Sequence, residues 1–119
     1  MTLRKKADKL WRTKGKENAR CELHTYLGMV HDYSQLHPHH VVGRKNKRLC
    51  WDLRNRCWLC PSHHTLSNYS AHNDPDWFHK QFKQFRPDDW KYIQKVKKEI
   101  THYKDHDIKE IIDKLKDIN

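Results

Sequence analysis

Cysteine and histidine side chains are concentrated in one short stretch of the chain, residues 57–68, which reads CWLCPSHHTLSN. It holds two cysteines and two histidines within eight residues. Thiolate and imidazole are the usual ligands of zinc and related transition metals, so this stretch predicts a metal site. A second histidine pair, His39 and His40, lies upstream, and Asn55 stands between the two pairs. The residue types alone leave open whether a metal would stabilise the fold or take part in chemistry.

The composition indicates a small basic domain. The chain has 119 residues, of which 35% are hydrophobic and 34% charged, so its apolar core is small and would gain from a metal. The net charge of +10 favours a polyanionic partner, nucleic acid first and an acidic membrane surface second. We see no run of eighteen apolar residues and no apolar signal-peptide core, so we expect a cytoplasmic protein without a membrane span. Because the cytoplasm keeps thiols reduced, we expect the four cysteines to be metal ligands or free thiols rather than two disulfides.

Two short strands and a helix are the elements that would position these residues. Val41 and Val42 predict a strand that ends in a turn at Gly43. A polar loop over residues 44–56 separates it from a second strand at 57–59. Pro61 suits the first turn of a following helix, where its missing N–H has no partner to lose.

Helices are predicted on both sides of this centre. Residues 2–19 form a basic helix with a thin apolar stripe. Pro87 and the acids behind it start a further helix, whose apolar stripe runs from Trp90 to Tyr103. A last helix covers about 106–118. We expect one domain, made of a basic helix at 1–20, a centre at 21–70 and a helical arm at 71–119.

The order of the histidines and the asparagine resembles the HNH nuclease family, whose core is a ββα-metal finger. In that family a His pair or Asp-His ends the first strand, the loop carries Asn, and the helix carries the last His. The matching segments are LHPHHVVGR, LRN and LCPSHHTLSN, with fifteen residues from His40 to Asn55 and nine from Asn55 to His64. The resemblance covers about residues 21–70. It implies an α+β fold with a small zinc-stapled ββα-metal (HNH) core, flanked by the N-terminal basic helix and the C-terminal helices.

Many HNH proteins also hold a structural zinc, with one Cys-x-x-Cys pair upstream and a Cys-x-x-Cys or Cys-x-x-His pair leading into the helix. The corresponding positions imply four zinc ligands here, Cys21, His24, Cys60 and His63. Two thiolates and two imidazoles suit tetrahedral zinc. A rival register stays open, in which Cys57 replaces His63 as a ligand and His63 joins the catalytic set.

The resemblance implies a catalytic site for a divalent ion as well. It assigns His40 as the general base, because an imidazole with an ordinary pKa of about 6.5 accepts a proton at neutral pH. His39 and His64 are the implied metal ligands. Asn68 is a further candidate ligand, since four residues along a helix would place it on the same face as His64. Asn55 would brace the loop and orient His40. Imidazole ligands favour Mn, Ni, Co or Zn over Mg, although Mg is the more abundant ion.

Basic side chains of the polar loop are the predicted DNA contacts, at Arg44, Lys45, Lys47, Arg48, Arg54 and Arg56. From that loop they would hold phosphates and position a strand without reading its sequence. We therefore expect a metal-dependent DNA endonuclease or nickase acting in bacterial or phage-infected cytoplasm. The alternative is a non-catalytic zinc protein that binds nucleic acid.

Two further segments resemble phage HNH proteins of the lambda recombination-nuclease kind, which act on branched DNA. They are LRKKADKLW near the start and FHKQFKQFRPDDWKYIQKVKKEI in the helical arm. This resemblance implies phage DNA processing with duplex or branched DNA as the partner. The remaining histidines, His72 among them, have no support from the motif. Cys50 has no partner at ligand spacing, which favours a simple buried thiol.

Overall fold

The computed structural model describes residues 1–29 and 35–118, and its fold is α+β. Within those residues the sheet has two antiparallel strands, β1 (His37–His40) and β2 (Arg56–Leu59). The helices around it are α1 (Leu3–Thr13), α2 (Glu22–Tyr26), α3 (Pro75–Phe85), α4 (Pro87–Val96) and α5 (Asp105–Lys116). Short 3₁₀ turns cover Lys16–Asn18 and Leu53–Asn55, and a π-helical turn covers Ser62–Leu66. No helix in the described part of the chain is long and apolar enough to cross a membrane.

The sheet brings the upstream histidines beside the second strand, with His39 opposite Cys57. β2 confirms the predicted second strand, whereas β1 lies just before the two valines that were expected to form the first. The reason lies in Asn55. Its side-chain amide accepts from the backbone N–H of Val42 at 2.8 Å and donates to the Val42 carbonyl at 2.9 Å. These side-chain hydrogen bonds to Val42 replace the backbone hydrogen bonds of a strand partner, and β1 therefore ends at His40, just before the valines.

The N-terminal basic helix is present, but it ends earlier than its sequence predicts. Thr2 caps α1 by accepting from the Lys5 backbone N–H at 3.2 Å. The helix stops at Thr13 because Gly15 has a φ of 85°, the left-handed conformation that glycine adopts without strain. Its apolar stripe packs on α5, where the buried partners are Ile108, Ile112 and Leu115.

The C-terminal arm consists of three helices. Asp74 caps α3 through its carboxylate, and Pro87 separates α3 from α4 because its ring and missing N–H suit only a first helical turn. α4 ends at Val96, so the predicted stripe is interrupted, and Ile100 is 89% exposed rather than packed. α5 lies within two residues of the last predicted helix.

Two apolar cores support the described chain. The first lies between the sheet and helices α2, α3 and α4, with Leu59 and Phe78 fully buried in it. The second joins α1 to α5 and includes Trp11 and Trp51. The two cores meet at the end of β1, where the ring of His40 stacks on Trp11 with 3.8 Å between ring centroids. Helix α1 is thereby held against the end of the histidine strand.

Candidate functional site

Four metal-type side chains converge between α2 and the end of β2. Cys21 and His24 come from the start and middle of α2, whereas Cys60 follows β2 and His63 lies in the π-helical turn. The His63 Nδ1 atom lies 3.9 Å from Cys21 Sγ and 3.7 Å from Cys60 Sγ. The His24 Nε2 atom lies 3.8 Å from Cys60 Sγ. All four ligand atoms fall within 4.8 Å of one another, in a nearly solvent-free setting.

The spacing and the chemistry of these donors fit zinc. A tetrahedral ion with Zn–S of about 2.3 Å and Zn–N of about 2.05 Å separates its sulfur and nitrogen ligands by about 3.5 Å. The separations here exceed that edge by only a few tenths of an ångström. The predicted set is therefore confirmed as a group of neighbours that could hold a metal such as zinc.

The rival zinc register is not supported. Cys57 lies inside β2, is completely buried, and is absent from the four-residue group. Burial first, and then the nearby carboxylate of Glu22, raises the pKa of its thiol well above the ordinary value. Cys50 agrees with the simple prediction of a buried thiol, and its Sγ donates to the Lys47 carbonyl at 3.4 Å.

His64, the residue after His63, belongs to a second group. His39 of β1, His64 and His72 each place a ring nitrogen within 4.8 Å of the others. His64 Nε2 lies 3.0 Å from His72 Nε2, and His64 Nδ1 lies 2.9 Å from His37 Nδ1. Two imidazole nitrogens on a tetrahedral ion are separated by about 3.3 Å. The three-histidine group therefore has the donors and the spacing for a divalent transition metal.

Asn68 does not share a helix face with His64, and that part of the prediction is wrong. The π-helical turn ends at Leu66 and Ser67 is extended, so helical spacing does not continue to residue 68. The chain instead folds back, and the backbone N–H of His72 donates to the His64 carbonyl at 3.1 Å. The turn-forming stretch SNYSAHND, rich in Ser and Asn, is the sequence signal that favours an early end to the helix, and the prediction for Asn68 did not use it.

Burial lowers the pKa values of two imidazoles of this group, His39 and His64. Burial, followed by the neighbouring His64 and His72, lowers the pKa of His39 to about 3. Burial, followed by His72 and His37, lowers the pKa of His64 to about 4. A neutral imidazole presents the lone pair that a metal requires, so no proton has to leave His39 or His64 at neutral pH.

His40 lines the same cleft as the three histidines, a cavity of about 370 Å³. Its Nε2 lies 3.0 Å from the carbonyl oxygen of Cys50. Because a carbonyl can only accept, Nε2 carries the proton and Nδ1 carries the lone pair. Burial lowers the pKa of His40, although the Cys50 carbonyl acts in the opposite direction. The ring is thus neutral near pH 7, fixed in orientation, and able to accept a proton at Nδ1.

Asn55 is completely buried and braces the loop, as its position in the motif predicts. Besides its two bonds to Val42, its Nδ2 donates to the Leu49 carbonyl at 3.2 Å. These bonds tie the start of the loop to the segment just before Cys50. The carbonyl that orients His40 is therefore held in place through Asn55.

The basic loop is divided between internal and exposed side chains. Arg48 is paired with Glu99 at 3.0 Å, and Arg54 with Asp89 at 2.6 Å. Arg56 is 9% exposed and donates to a backbone carbonyl of α1 at 2.6 Å, which corrects the prediction of a DNA contact there. Arg48 and Arg54 would have to leave ion pairs to reach a phosphate. Among the described residues, the predicted contacts that are exposed and have no carboxylate at ion-pair distance are Arg44, Lys45 and Lys47, whereas Arg54 is exposed but paired.

Comparison with protein-family models, with curated proteins and with solved structures gives no match for this chain. The interpretation of the site therefore depends on its own geometry.

Proposed function

We propose that the protein is a metal-dependent DNA endonuclease or nickase of the HNH type. The observation that carries this proposal is the placement of His40 in one cleft with His39, His64 and His72. A proton acceptor beside a group of metal-ligating imidazoles supplies what phosphodiester hydrolysis requires. The exposed cations of the loop add a surface suited to a polyanionic substrate.

His40 would act as the general base. Its Nδ1 carries the lone pair and would receive the proton of the attacking water, while its Nε2–H stays on the Cys50 carbonyl. As the ring gains positive charge, that hydrogen bond becomes charge-assisted and stronger. Trp11 fixes the plane of the ring through stacking. The ring therefore needs no reorientation during proton transfer.

His39, His64 and His72 would hold the divalent ion. When bound, such an ion supplies Lewis-acid stabilisation of the charge on the phosphate and on the leaving oxygen. His37 supports the His64 ring from its Nδ1 side, in the way that hydrogen-bonded partners orient metal-binding imidazoles. An all-imidazole set favours Mn, Co, Ni or Zn over Mg.

The cysteine-containing group would have a structural role. His63 and His64 are neighbours in the π-helical turn, so a metal held by His63 fixes the turn that presents His64. A closed set of two thiolates and two imidazoles leaves no open position for substrate, which suits a structural zinc rather than a catalytic one.

Incubation of supercoiled plasmid with the purified protein and Mn²⁺, Mg²⁺, Ni²⁺ or Zn²⁺ tests the proposal. We expect nicked or linear DNA with at least one of these ions and none after addition of EDTA. Binding of the plasmid without cleavage in every metal would contradict the nuclease and favour the nucleic-acid-binding zinc protein.

A further inference from the structure

A second cleft adjoins His40 on the side of α1. It is a cavity of about 130 Å³ between α1 and the loop, with His40 and Arg44 lining both this cleft and the histidine cleft. Its volume is below the roughly 300–1,000 Å³ of cavities that take drug-sized ligands. The size therefore suits a small charged group rather than an organic molecule.

We propose that this cleft binds a backbone phosphate next to the phosphate that is cleaved, and that Arg4 and Arg12 of α1 contact it. The identity of the polyanion as DNA depends on the proposed function. The assignment to α1 does not, because it follows from the residues that line the cleft, whereas the sequence predicts DNA contacts from the basic loop alone.

The charge in the cleft supports an anionic ligand. Its lining includes cations from both walls, Arg4 and Arg12 of α1 and Arg44 and Lys47 of the loop. All of these are exposed, and among the described residues none of them has a carboxylate at ion-pair distance. The acid in the lining, Asp8, is already engaged, since its Oδ1 accepts from Trp51 Nε1 at 2.7 Å. The lining therefore carries four cations against one carboxylate, which leaves a net positive charge in the cleft.

The geometry of α1 places these arginines along the path to His40. Arg4 and Arg12 are eight residues apart on α1 and both line the cleft, and Trp11, the neighbour of Arg12, stacks on the His40 ring. The Arg4 guanidinium lies 5.9 Å from the centre of the Trp51 ring, on the floor of the cleft. A strand that crosses the histidine cleft would continue along this face of α1.

The same helix disfavours a membrane surface as the partner. A helix that lies in a lipid interface exposes an apolar face for insertion. In α1 the apolar residues Ala7 and Trp11 are buried against the second core, and the exposed face is basic. Exposed charge without exposed apolar surface fits a phosphate backbone.

The test is the salt dependence of DNA binding in EDTA, where cleavage does not interfere. Affinity for a fluorescein-labelled duplex of about 20 base pairs is measured by anisotropy over a range of salt concentrations. The double variant Arg4→Gln/Arg12→Gln should lower the log–log slope by about 0.9, because the contact to one phosphate is lost. The matched control Lys91→Gln/Lys95→Gln removes the same charge from exposed positions of α4 and should leave the slope unchanged.

An unchanged slope in the α1 variant, or an equal fall in the α4 control, would overturn the proposal. If circular dichroism shows that the α1 variant does not fold, Arg44→Gln/Lys47→Gln removes the cations of the opposite wall instead. A salt slope that does not decrease in this loop variant would also overturn the proposal. Binding to phosphatidylserine vesicles that is lost in the α1 variant, with duplex binding intact, would assign the face to membranes instead. A wild-type protein that cleaves no plasmid would contradict the nuclease proposal without altering these slopes. Failure of the nuclease proposal is therefore distinguishable from failure of the phosphate-binding proposal.

Discussion

His63 and His64 are adjacent in the chain, yet they belong to different groups of ligands. His63 Nδ1 faces the sulfur of Cys60 at 3.7 Å, whereas His64 Nε2 faces His72 at 3.0 Å. Successive residues of a helical turn point in directions about 100° apart. One short turn can therefore serve two metal sites, and the integrity of each site depends on the same few residues.

His72 is the residue on which the sequence and the structure differ most. Replacement by alanine should weaken binding of Ni²⁺ at the histidine group by at least about 10-fold, because one of its three imidazole donors is lost. Isothermal titration calorimetry on zinc-loaded protein measures this. Asn68→Ala is the matched control, and we expect its Ni²⁺ affinity to equal that of the wild type. The reverse ranking of the two variants would restore Asn68 as the ligand.

Asn55 should be important for stability as well as for the site. Asn55→Ala leaves the backbone groups of Val42 and the Leu49 carbonyl without their side-chain partner in a buried setting. We expect a loss of about 3 kcal/mol in the free energy of unfolding. Urea denaturation measures this free energy of unfolding. Asn68 is exposed, so we expect the control variant Asn68→Ala to remain within about 0.5 kcal/mol of the wild type. A loss no larger than that of the control would show that Asn55 does not brace the loop.

At the scale of elements, the cysteine-containing group joins three short parts of the chain. It connects α2 to the end of β2 and to the π-helical turn, all of them only five residues long or shorter. Elements this short have little intrinsic stability, because helix nucleation is unfavourable and a lone hairpin is marginal. A metal bound there would supply much of the free energy that holds this part of the fold.

Cys21→Ser should therefore unfold the domain rather than only inactivate it. We expect no tightly bound zinc in this variant and no cooperative thermal transition, because one thiolate of the closed set is missing. Metal analysis after dialysis and circular dichroism measure the two effects. Cys57→Ser should retain one zinc per chain, since Cys57 lies outside the group. Loss of zinc in Cys57→Ser with retention in Cys21→Ser would favour the rival register.

The sequence predicted these elements well where the signal was local. The strand at residues 57–59 and the last helix follow from short patterns, and Pro87 marks the start of α4. The sequence was less informative where a distant residue decides the outcome. The first strand ends at His40 because Asn55 takes up the backbone of Val42, and no pattern within residues 37–42 contains that information.

At the scale of the whole molecule, the site depends on contacts between segments far apart in sequence. Trp11 of α1 stacks on His40, and its indole Nε1 donates to the Asp52 carbonyl at 3.0 Å. The packing of α1 on α5 in the second core keeps Trp11 in place beside His40. The motif spacing predicted His39, His40 and His64, but neither the role of α1 nor the position of His72, because both arise from tertiary packing.

The most direct test of the central claim is the rate of plasmid cleavage by His40→Ala under single-turnover conditions, at saturating metal. We expect a rate at least about 100-fold below that of the wild type, because the proton acceptor beside the histidine group is lost. Duplex affinity in EDTA should be unchanged, and the exposed His102→Ala should cleave like the wild type. Cleavage by His40→Ala at the wild-type rate would contradict the assignment of His40 as the general base.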